Sequence, residues 1–204
     1  MKYVIIAVII ALILFMVLTR SVSSLELENG QTLLLKVDRH TIRLDTHSVE
    51  QEQLDFRTVT VLQSVLQDEE GTYFVFEHAY TDSQYQFDHR SMAQTMKTIF
   101  AAKKVSMIYQ RNNLTFYQMR MDDGYVINLI LHQSGDQTLN FAYGFSNAKF
   151  IQILKEIEPS STSIEKKLEE DAIVPDSSDK SIKTRWSVLM NTIDSLIIPL
   201  DSSS

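Results

Sequence analysis

The chain has no cysteine, and among its 204 residues there are only three prolines, five glycines and one tryptophan. The absence of cysteine excludes disulfide bonds, thiol nucleophiles and four-cysteine zinc sites. Five glycines leave little room for a glycine-rich phosphate loop, and neither H-E-x-x-H nor G-x-S-x-G occurs. A folded domain must therefore be stabilised by its apolar core alone, and 44% apolar residues are sufficient for one.

The charge balance is acidic. The sequence contains 19 Lys and Arg residues against 26 Asp and Glu residues, which gives a formal net charge of −7 at pH 7. A nucleic-acid partner requires a basic face for its phosphates, so we predict no nucleic-acid binding. The same charge argues against anionic lipid headgroups as a docking surface for the globular part.

One long apolar run stands near the start of the chain. Tyr3–Leu18 contains no charged residue and lies between Lys2 and Arg20. As a helix it would rise about 24 Å, somewhat less than the roughly 30 Å of a bilayer's hydrocarbon core. It predicts a single-pass transmembrane signal-anchor over residues 1–20, with the rest of the chain outside the cytoplasm, which is the periplasm in a Gram-negative cell. The alternative is a signal peptide cleaved near Ser21–Ser23. The membrane-spanning residues of this prediction include Tyr3, Ile6, Ile10, Ile13 and Leu18.

Residues 25–158 carry the patterns of strands joined by short turns. Asn29-Gly30 between two apolar segments predicts a hairpin. Phe56–Leu66 and Thr72–Tyr80 are rich in β-branched and aromatic residues and predict a long central hairpin. Four further strands are predicted between residues 105 and 143, where the turns are so short that neighbouring strands must run antiparallel.

Two helices are predicted within this domain. The first covers residues 90–104, where apolar side chains recur at helical spacing, and the second begins after Ser146 as the capping residue. Residues 46–55 are polar and predict a loop or a short helix. The expected fold class is α+β, with one antiparallel sheet and both helices packed on one face. A closed or half-closed barrel that grips a helix is the alternative.

The C-terminal part reads as a flexible tail. Residues 159–180 predict a polar linker that contains one short charged helix, and residues 181–198 predict an amphipathic helix. This helix could hold a protein partner, dock back on the sheet or lie on a membrane surface. Its candidate partner-binding residues are Trp186, Leu189, Met190 and Ile193.

Candidate chemistry is sparse. None of the five histidines has a second histidine three or four residues away, so no helical metal-binding pair exists. Asp82, Asp88 and His89, with His78 one strand earlier, form the one conceivable acid–base or metal cluster, but a capping aspartate and exposed loop histidines explain it equally well. We therefore assign no catalytic, cofactor-binding or metal-binding residue and expect no enzymatic activity.

These features predict a membrane-anchored protein whose extracytoplasmic domain acts by protein–protein interaction within an envelope assembly. The alternative is a module that binds a small molecule or a lipid on the concave side of the sheet. Such a module would need an apolar cavity with few polar groups. Its expected lining residues are Phe74, Phe76, Ile127 and Phe141.

Overall fold

The computed structural model of the chain describes residues 23–28, 31–56, 58–68, 73–87, 94, 97–98, 101–122, 124–159, 168 and 197–199. Within them the chain forms twelve strands and one helix whose full extent is described. In chain order these elements are β1 (Ser23–Glu28), β2 (Thr32–Val37), β3 (His40–Asp45), β4 (His47–Asp55), β5 (Val59–Gln67), β6 (Tyr73–Thr81), β7 (Tyr85–Phe87), β8 (Ala102–Arg111), β9 (Leu114–Met121), β10 (Val126–Ser134), β11 (Thr138–Tyr143), α1 (Asn147–Ile157) and β12 (Ile197–Pro199).

The strands pair in three antiparallel sheets. A small sheet has the order β1-β2-β3, and a large sheet has the order β4-β5-β6-β11-β10-β9-β8. Strand β12 pairs with β7 alone. The predicted hairpins around Asn29-Gly30 and between β5 and β6 are confirmed, and so is the meander from β8 to β11. Each follows from a short connection, which leaves antiparallel pairing as the accessible arrangement.

The large sheet is apolar on both faces because its central strands are buried on both sides. Val61, Leu129 and Phe141 belong to a cluster on one face. On the other face, Phe116 and Ile130 pack against the small sheet and α1. The small sheet and the helix therefore cover one face of the large sheet together.

Helix α1 begins where the sequence predicts. The Ser146 hydroxyl accepts a hydrogen bond from the Lys149 amide at 3.2 Å, which satisfies one of the free N–H groups of the first turn. The helix buries an apolar stripe, and the Phe150 ring packs in a tilted arrangement against Phe116 of β9, with 5.4 Å between the ring centroids. The buried residues of the stripe are Phe150, Ile153, Leu154 and Ile157.

A buried amide network fixes the entry into α1. The Asn128 amide nitrogen donates to the Phe145 carbonyl at 3.0 Å and to the Asn147 side-chain oxygen at 2.9 Å. The Asn128 oxygen accepts from Gln118 at 3.1 Å. Gly144, between β11 and the helix, has a φ of +89°, which a residue with a side chain rarely adopts. These contacts hold the chain reversal that lays α1 against the sheet.

The predicted fold class is wrong in its balance of helix and strand. Instead of an α+β domain with two full helices on one sheet, the described chain is mostly β, with two main sheets and one short helix. The helix predicted over 90–104 overlaps β8, which starts at Ala102, although Gln94, Lys97 and Thr98 are helical. The polar stretch 46–55 is mainly strand β4. It lies at the edge of the large sheet, where neither face needs to be apolar.

The predicted C-terminal elements are only partly within the described chain. Ile197–Pro199, expected at the end of an amphipathic helix, forms strand β12 instead. The preceding residues, 181–196, lie outside the described residues. Leu168, expected in a helix without packing partners, is half-buried against the cluster under the small sheet.

The prediction of a membrane anchor needs correction. Among the residues that the structure describes, no helix has the length and apolar character required to cross a bilayer. The described chain places its apolar residues in strands that bury them between layers, whereas the prediction depended on the hydropathy of one run. That run, Tyr3–Leu18 with its five named residues, lies outside the described residues. The described structure therefore does not support the transmembrane helix, the single-pass topology or the extracytoplasmic location.

Candidate functional site

An open cleft lies between β1 of the small sheet and the covered face of the large sheet. Its volume is about 500 Å³, and nine of the twelve residues that line it are polar. Strand β1 contributes the consecutive residues Ser24–Leu27. The polar side chains from the central strands of the large sheet are Ser64, His78, His132, Ser134, Thr138 and Asn140. We call this space the inter-sheet cleft.

Three of these side chains form a hydrogen-bonded row across adjacent strands. The register sets Asn140 of β11 opposite both His78 of β6 and His132 of β10. The Asn140 side-chain oxygen is hydrogen-bonded to His78 Nδ1, and its nitrogen lies 3.4 Å from His132 Nδ1. Because an amide oxygen only accepts and an amide nitrogen only donates, His78 carries its proton on Nδ1 and His132 accepts there. We call this arrangement the His–Asn–His row.

His132 is held in its neutral form by its surroundings. Its side chain is 2% exposed, and burial lowers its pKa below the ordinary value of 6.5. A hydrogen bond to the backbone of Ser23 and the nearby Glu26 carboxylate oppose this shift without reversing it. With Nδ1 accepting from Asn140, the remaining N–H is the group that donates to the Ser23 carbonyl. His132 therefore ties β1 to the large sheet.

His78 differs from His132 in its burial and in its hydrogen bonds. It is only half-buried, and the row engages its Nδ1, so Nε2 takes no part in the contact with Asn140. Its ring centroid lies 5.9 Å from that of Tyr80, two residues along the same strand. His78 is thus the member of the row that can offer a ring nitrogen to a ligand.

The rim of the cleft carries an acidic group. Glu26 accepts a hydrogen bond from the Lys36 ammonium at 2.6 Å, and this contact is the main cause of its lowered pKa. Both side chains remain substantially exposed, at 51% for Glu26 and 39% for Lys36. The next outward-facing residue of β1, Glu28, forms a similar pair with Arg43 at 2.8 Å. Strand β1 therefore presents two partly exposed carboxylates along one face.

The residues singled out from sequence are not the ones that meet here. Of the Asp82, Asp88 and His89 cluster, only Asp82 is described, and it is an exposed residue between β6 and β7. His78 was associated with that cluster, but it bonds to Asn140 instead. The partner-binding candidates Trp186, Leu189, Met190 and Ile193 lie outside the described residues, so their role stays a prediction.

Two of the four residues predicted to line an apolar cavity do not face the inter-sheet cleft. Ile127 and Phe141 are buried in the apolar cluster on the face of the large sheet that points away from the cleft. Phe74 and Phe76 lie in strand β6, but their side chains are not among those the structure describes. The inter-sheet cleft, by contrast, is lined mainly by polar residues.

Sequence reasoning missed Asn140 and underrated His132. A signal was present, because Gly135 lies in the turn of a hairpin and the pairing Ser134–Thr138 fixes His132 opposite Asn140. No sequence pattern predicts that β1 lies above this pair. That position turns a polar patch on a sheet into the wall of a cleft.

The row joins two imidazoles through an amide, not through a shared ion. Within the described residues, no group of three or more histidines and carboxylates is arranged to hold a metal ion. The arrangement supplies hydrogen-bond donors and acceptors fixed by their own partners.

Comparison of this chain with protein-family models, with curated proteins and with solved structures finds no match. Function has to be argued from the geometry of the inter-sheet cleft.

Proposed function

We propose that this protein is a binding module that takes a polar ligand, rich in hydrogen-bonding groups, in the inter-sheet cleft. The observation that carries the proposal is the His–Asn–His row in the wall of an open space of about 500 Å³. Ligand sites generally occupy about 300–1,000 Å³, so the space suits a small molecule or a short segment of a larger one.

The polarity of the lining supports a polar ligand over a lipid. Most ligand pockets are predominantly apolar with a few polar groups, whereas here nine of twelve lining residues are polar. Polar groups removed from water without partners cost about 1–3 kcal/mol each in proteins. An apolar ligand would impose that cost on the exposed Gln51 and Ser134 and on the half-buried His78, while a hydrogen-bonding ligand would replace the water that they lose.

The hydrogen bonding and protonation of the His–Asn–His row support binding over catalysis. His132 uses both ring nitrogens within the protein, and its pKa is lowered by burial, so it serves poorly as a proton carrier. Among the described residues, no serine or threonine hydroxyl is hydrogen-bonded to either ring, so no activated nucleophile is assembled. The fixed tautomers instead present a defined pattern of donors and acceptors.

An NMR screen tests the proposal. Amide spectra of the protein are recorded with sugars, nucleosides, amino acids and short peptides. At least one class should shift the amides of Ser64, His78 and Asn140 in a saturable manner. Shifts confined to surfaces away from the cleft, or no saturable shift from any class, would overturn it.

A pair of tryptophan substitutions supplies the control. Ser134 is exposed and lines the cleft, so Ser134→Trp should block binding. Gln110 is exposed on β8 and does not line the cleft, so Gln110→Trp should leave binding unchanged. Equal binding by both variants would place the ligand elsewhere.

A further inference from the structure

We infer that the ligand is an extended, basic peptide segment that adds as a strand to the free edge of β1. This inference depends on the proposed function, because it names the occupant of the same cleft. It draws on the edge position of β1, the direction of its backbone groups, and the charges beside it. Peptide recognition by strand addition obtains its affinity from main-chain hydrogen bonds and its specificity from alternate side chains.

Strand β1 has one paired edge and one free edge. The small sheet is ordered β1-β2-β3, so within the described chain only β2 pairs with β1. An edge strand presents a row of N–H and C=O groups that can pair with another chain. That edge reaches the inter-sheet cleft, since Ser24–Leu27 line it. Leu25 is only 2% exposed, whereas Leu27 is half-buried, so the accessible part of the edge is at Leu27.

The hairpin geometry shows which backbone groups face the cleft. Gln31 N–H donates to the Glu28 carbonyl at 3.2 Å, and Glu28 is paired with Thr32 across a three-residue loop. Hydrogen-bonded pairs alternate along an antiparallel ladder, so Ser23, Leu25 and Leu27 direct their backbone groups away from β2. The hydrogen bond from His132 to the Ser23 backbone, made from the side of the large sheet, agrees with this assignment.

The cleft has room for a short strand. Four residues of β1 line it, and at 3.3 Å per residue they extend over about 13 Å. A peptide of about four residues would fill that length. Leu25 is only 2% exposed, so the peptide backbone would pair with the more accessible Leu27, and its inward side chains would meet Ser64, His78 and Asn140.

The charges indicate the composition of the peptide. Glu26 and Glu28 lie on the same face of β1, with side chains 51% and 43% exposed. Each is paired with one cation, Lys36 and Arg43 respectively, which a basic peptide would have to join or displace. Cross-strand neighbours have Cβ atoms about 4.5–5.5 Å apart, so lysine or arginine at alternate peptide positions would lie beside these carboxylates. The net charge of −7 would add long-range attraction for a cationic chain.

The same charges disfavour a second copy of this chain as the occupant. Pairing β1 with another β1 would bring the glutamates of one copy beside those of the other. Like charges directly opposite each other destabilise a strand pair. A basic partner relieves this repulsion, so the observations favour a different chain.

Capped synthetic peptides provide the test. The probe alternates lysine and threonine, and its binding to the full-length protein is compared with that of two altered peptides of the same length. One replaces each lysine by glutamate, and another carries N-methyl groups on alternate amides, which keeps the side chains but removes backbone donors. We expect saturable binding of the probe with slowed amide exchange at Leu27, and roughly tenfold weaker binding of both altered peptides.

Substitutions at Leu27 separate the backbone from the side chain. Leu27→Pro removes an N–H that faces the cleft, whereas Leu27→Ala shortens the same side chain and keeps the N–H. We expect Leu27→Pro to bind the probe roughly tenfold more weakly than Leu27→Ala does. If Leu27→Pro does not fold, the comparison of N-methylated and unmodified peptides on the natural protein decides the same question.

The outcomes distinguish failure of this inference from failure of the proposed function. Equal binding of the N-methylated and unmodified probes would overturn strand addition, while shifts at His78 and Asn140 would keep the cleft as a site. Binding of sugars or nucleosides but of no peptide would likewise overturn strand addition and keep the cleft as a site. A dimer that forms in solution through β1 would overturn the basic partner. No saturable ligand of any class would overturn both.

Discussion

At the scale of the residue, the His–Asn–His row determines what the cleft can do. Asn140 sets the tautomers of both rings, because its oxygen and nitrogen face different partners. Burial then keeps His132 neutral. A single amide thus gives the wall of the cleft a fixed hydrogen-bonding polarity.

His132 should make the protein sensitive to acid. Its pKa is lowered in the folded state, so near and below about pH 6.5 the unfolded chain binds a proton that the folded protein does not. The stability contribution is fully present above the unfolded pKa and is lost as the pH falls from that value to the lower folded pKa. Denaturant unfolding from about pH 8 to 5 should show a slope of up to 1.4 kcal/mol per pH unit that His132→Gln lacks.

The control is the difference between the two proteins at about pH 8. There His132 is neutral in both states, so the difference reports packing and hydrogen bonds alone. A slope that is identical in the natural protein and in His132→Gln would assign the acid sensitivity to other groups.

Asn128 should be among the most costly residues to truncate. It is 0% exposed and hydrogen-bonds to Phe145, Asn147 and Gln118. Asn128→Ala would remove these three hydrogen bonds from a buried site, at a cost of about 3 kcal/mol in unfolding free energy. Asn113→Ala, in an exposed turn, should change the unfolding free energy by less than about 0.5 kcal/mol. Comparable losses in the two variants would contradict the network's role.

At the scale of the element, local sequence chemistry was a good guide wherever one face of an element is apolar. Strands β5 and β9 alternate or run apolar, and α1 has both a cap and an apolar stripe, so their patterns predict their structure. Strand β4 lacks any such signal because it is polar along its length and lies at a sheet edge. Its pairing with β5 is a tertiary property, which no local pattern contains.

The edges of the large sheet show why edge strands are difficult to predict from sequence. Strand β8 carries Lys103 and Lys104 and has two register irregularities against β9. Charges and bulges on edge strands hinder pairing with other molecules. The features that protect an edge are therefore the same ones that weaken its strand pattern.

The cap of α1 gives a prediction at this scale. Ser146→Ala removes the acceptor for the Lys149 amide and should lower the unfolding free energy by about 1 kcal/mol. Ser146→Asp keeps an acceptor and should retain most of the stability. Thermal unfolding followed by circular dichroism measures both. An alanine variant as stable as the natural protein would show that the helix start is held by packing alone.

At the scale of the whole molecule, the large sheet couples two apolar clusters. Phe116 faces the small sheet and α1, and Phe141 belongs to the cluster on the opposite face. Both side chains are at most 1% exposed. Because the same strands supply both clusters, we expect the described domain to unfold as one cooperative unit.

Truncations on the two faces test this coupling. Phe116→Ala and Phe141→Ala should each lower the unfolding free energy by about 3–5 kcal/mol, and each should keep one transition that coincides by near- and far-ultraviolet circular dichroism. Met107 is 54% exposed, so Met107→Ala should change the unfolding free energy little. Two separate transitions in either phenylalanine variant would mean that the faces fold independently.

The junction between β6 and β11 has a kinetic consequence. It joins two locally connected sets of strands, β4–β6 and β8–β11, through pairings such as His78 with Asn140, which are 62 residues apart. Hairpins close short loops and form early. Pairing between strands that are far apart in sequence costs more chain entropy and is therefore slower. We therefore expect the contact that completes the His–Asn–His row to form after the local hairpins, when the two sets of strands join. A ligand held by that row would bind only chains in which this joining has taken place.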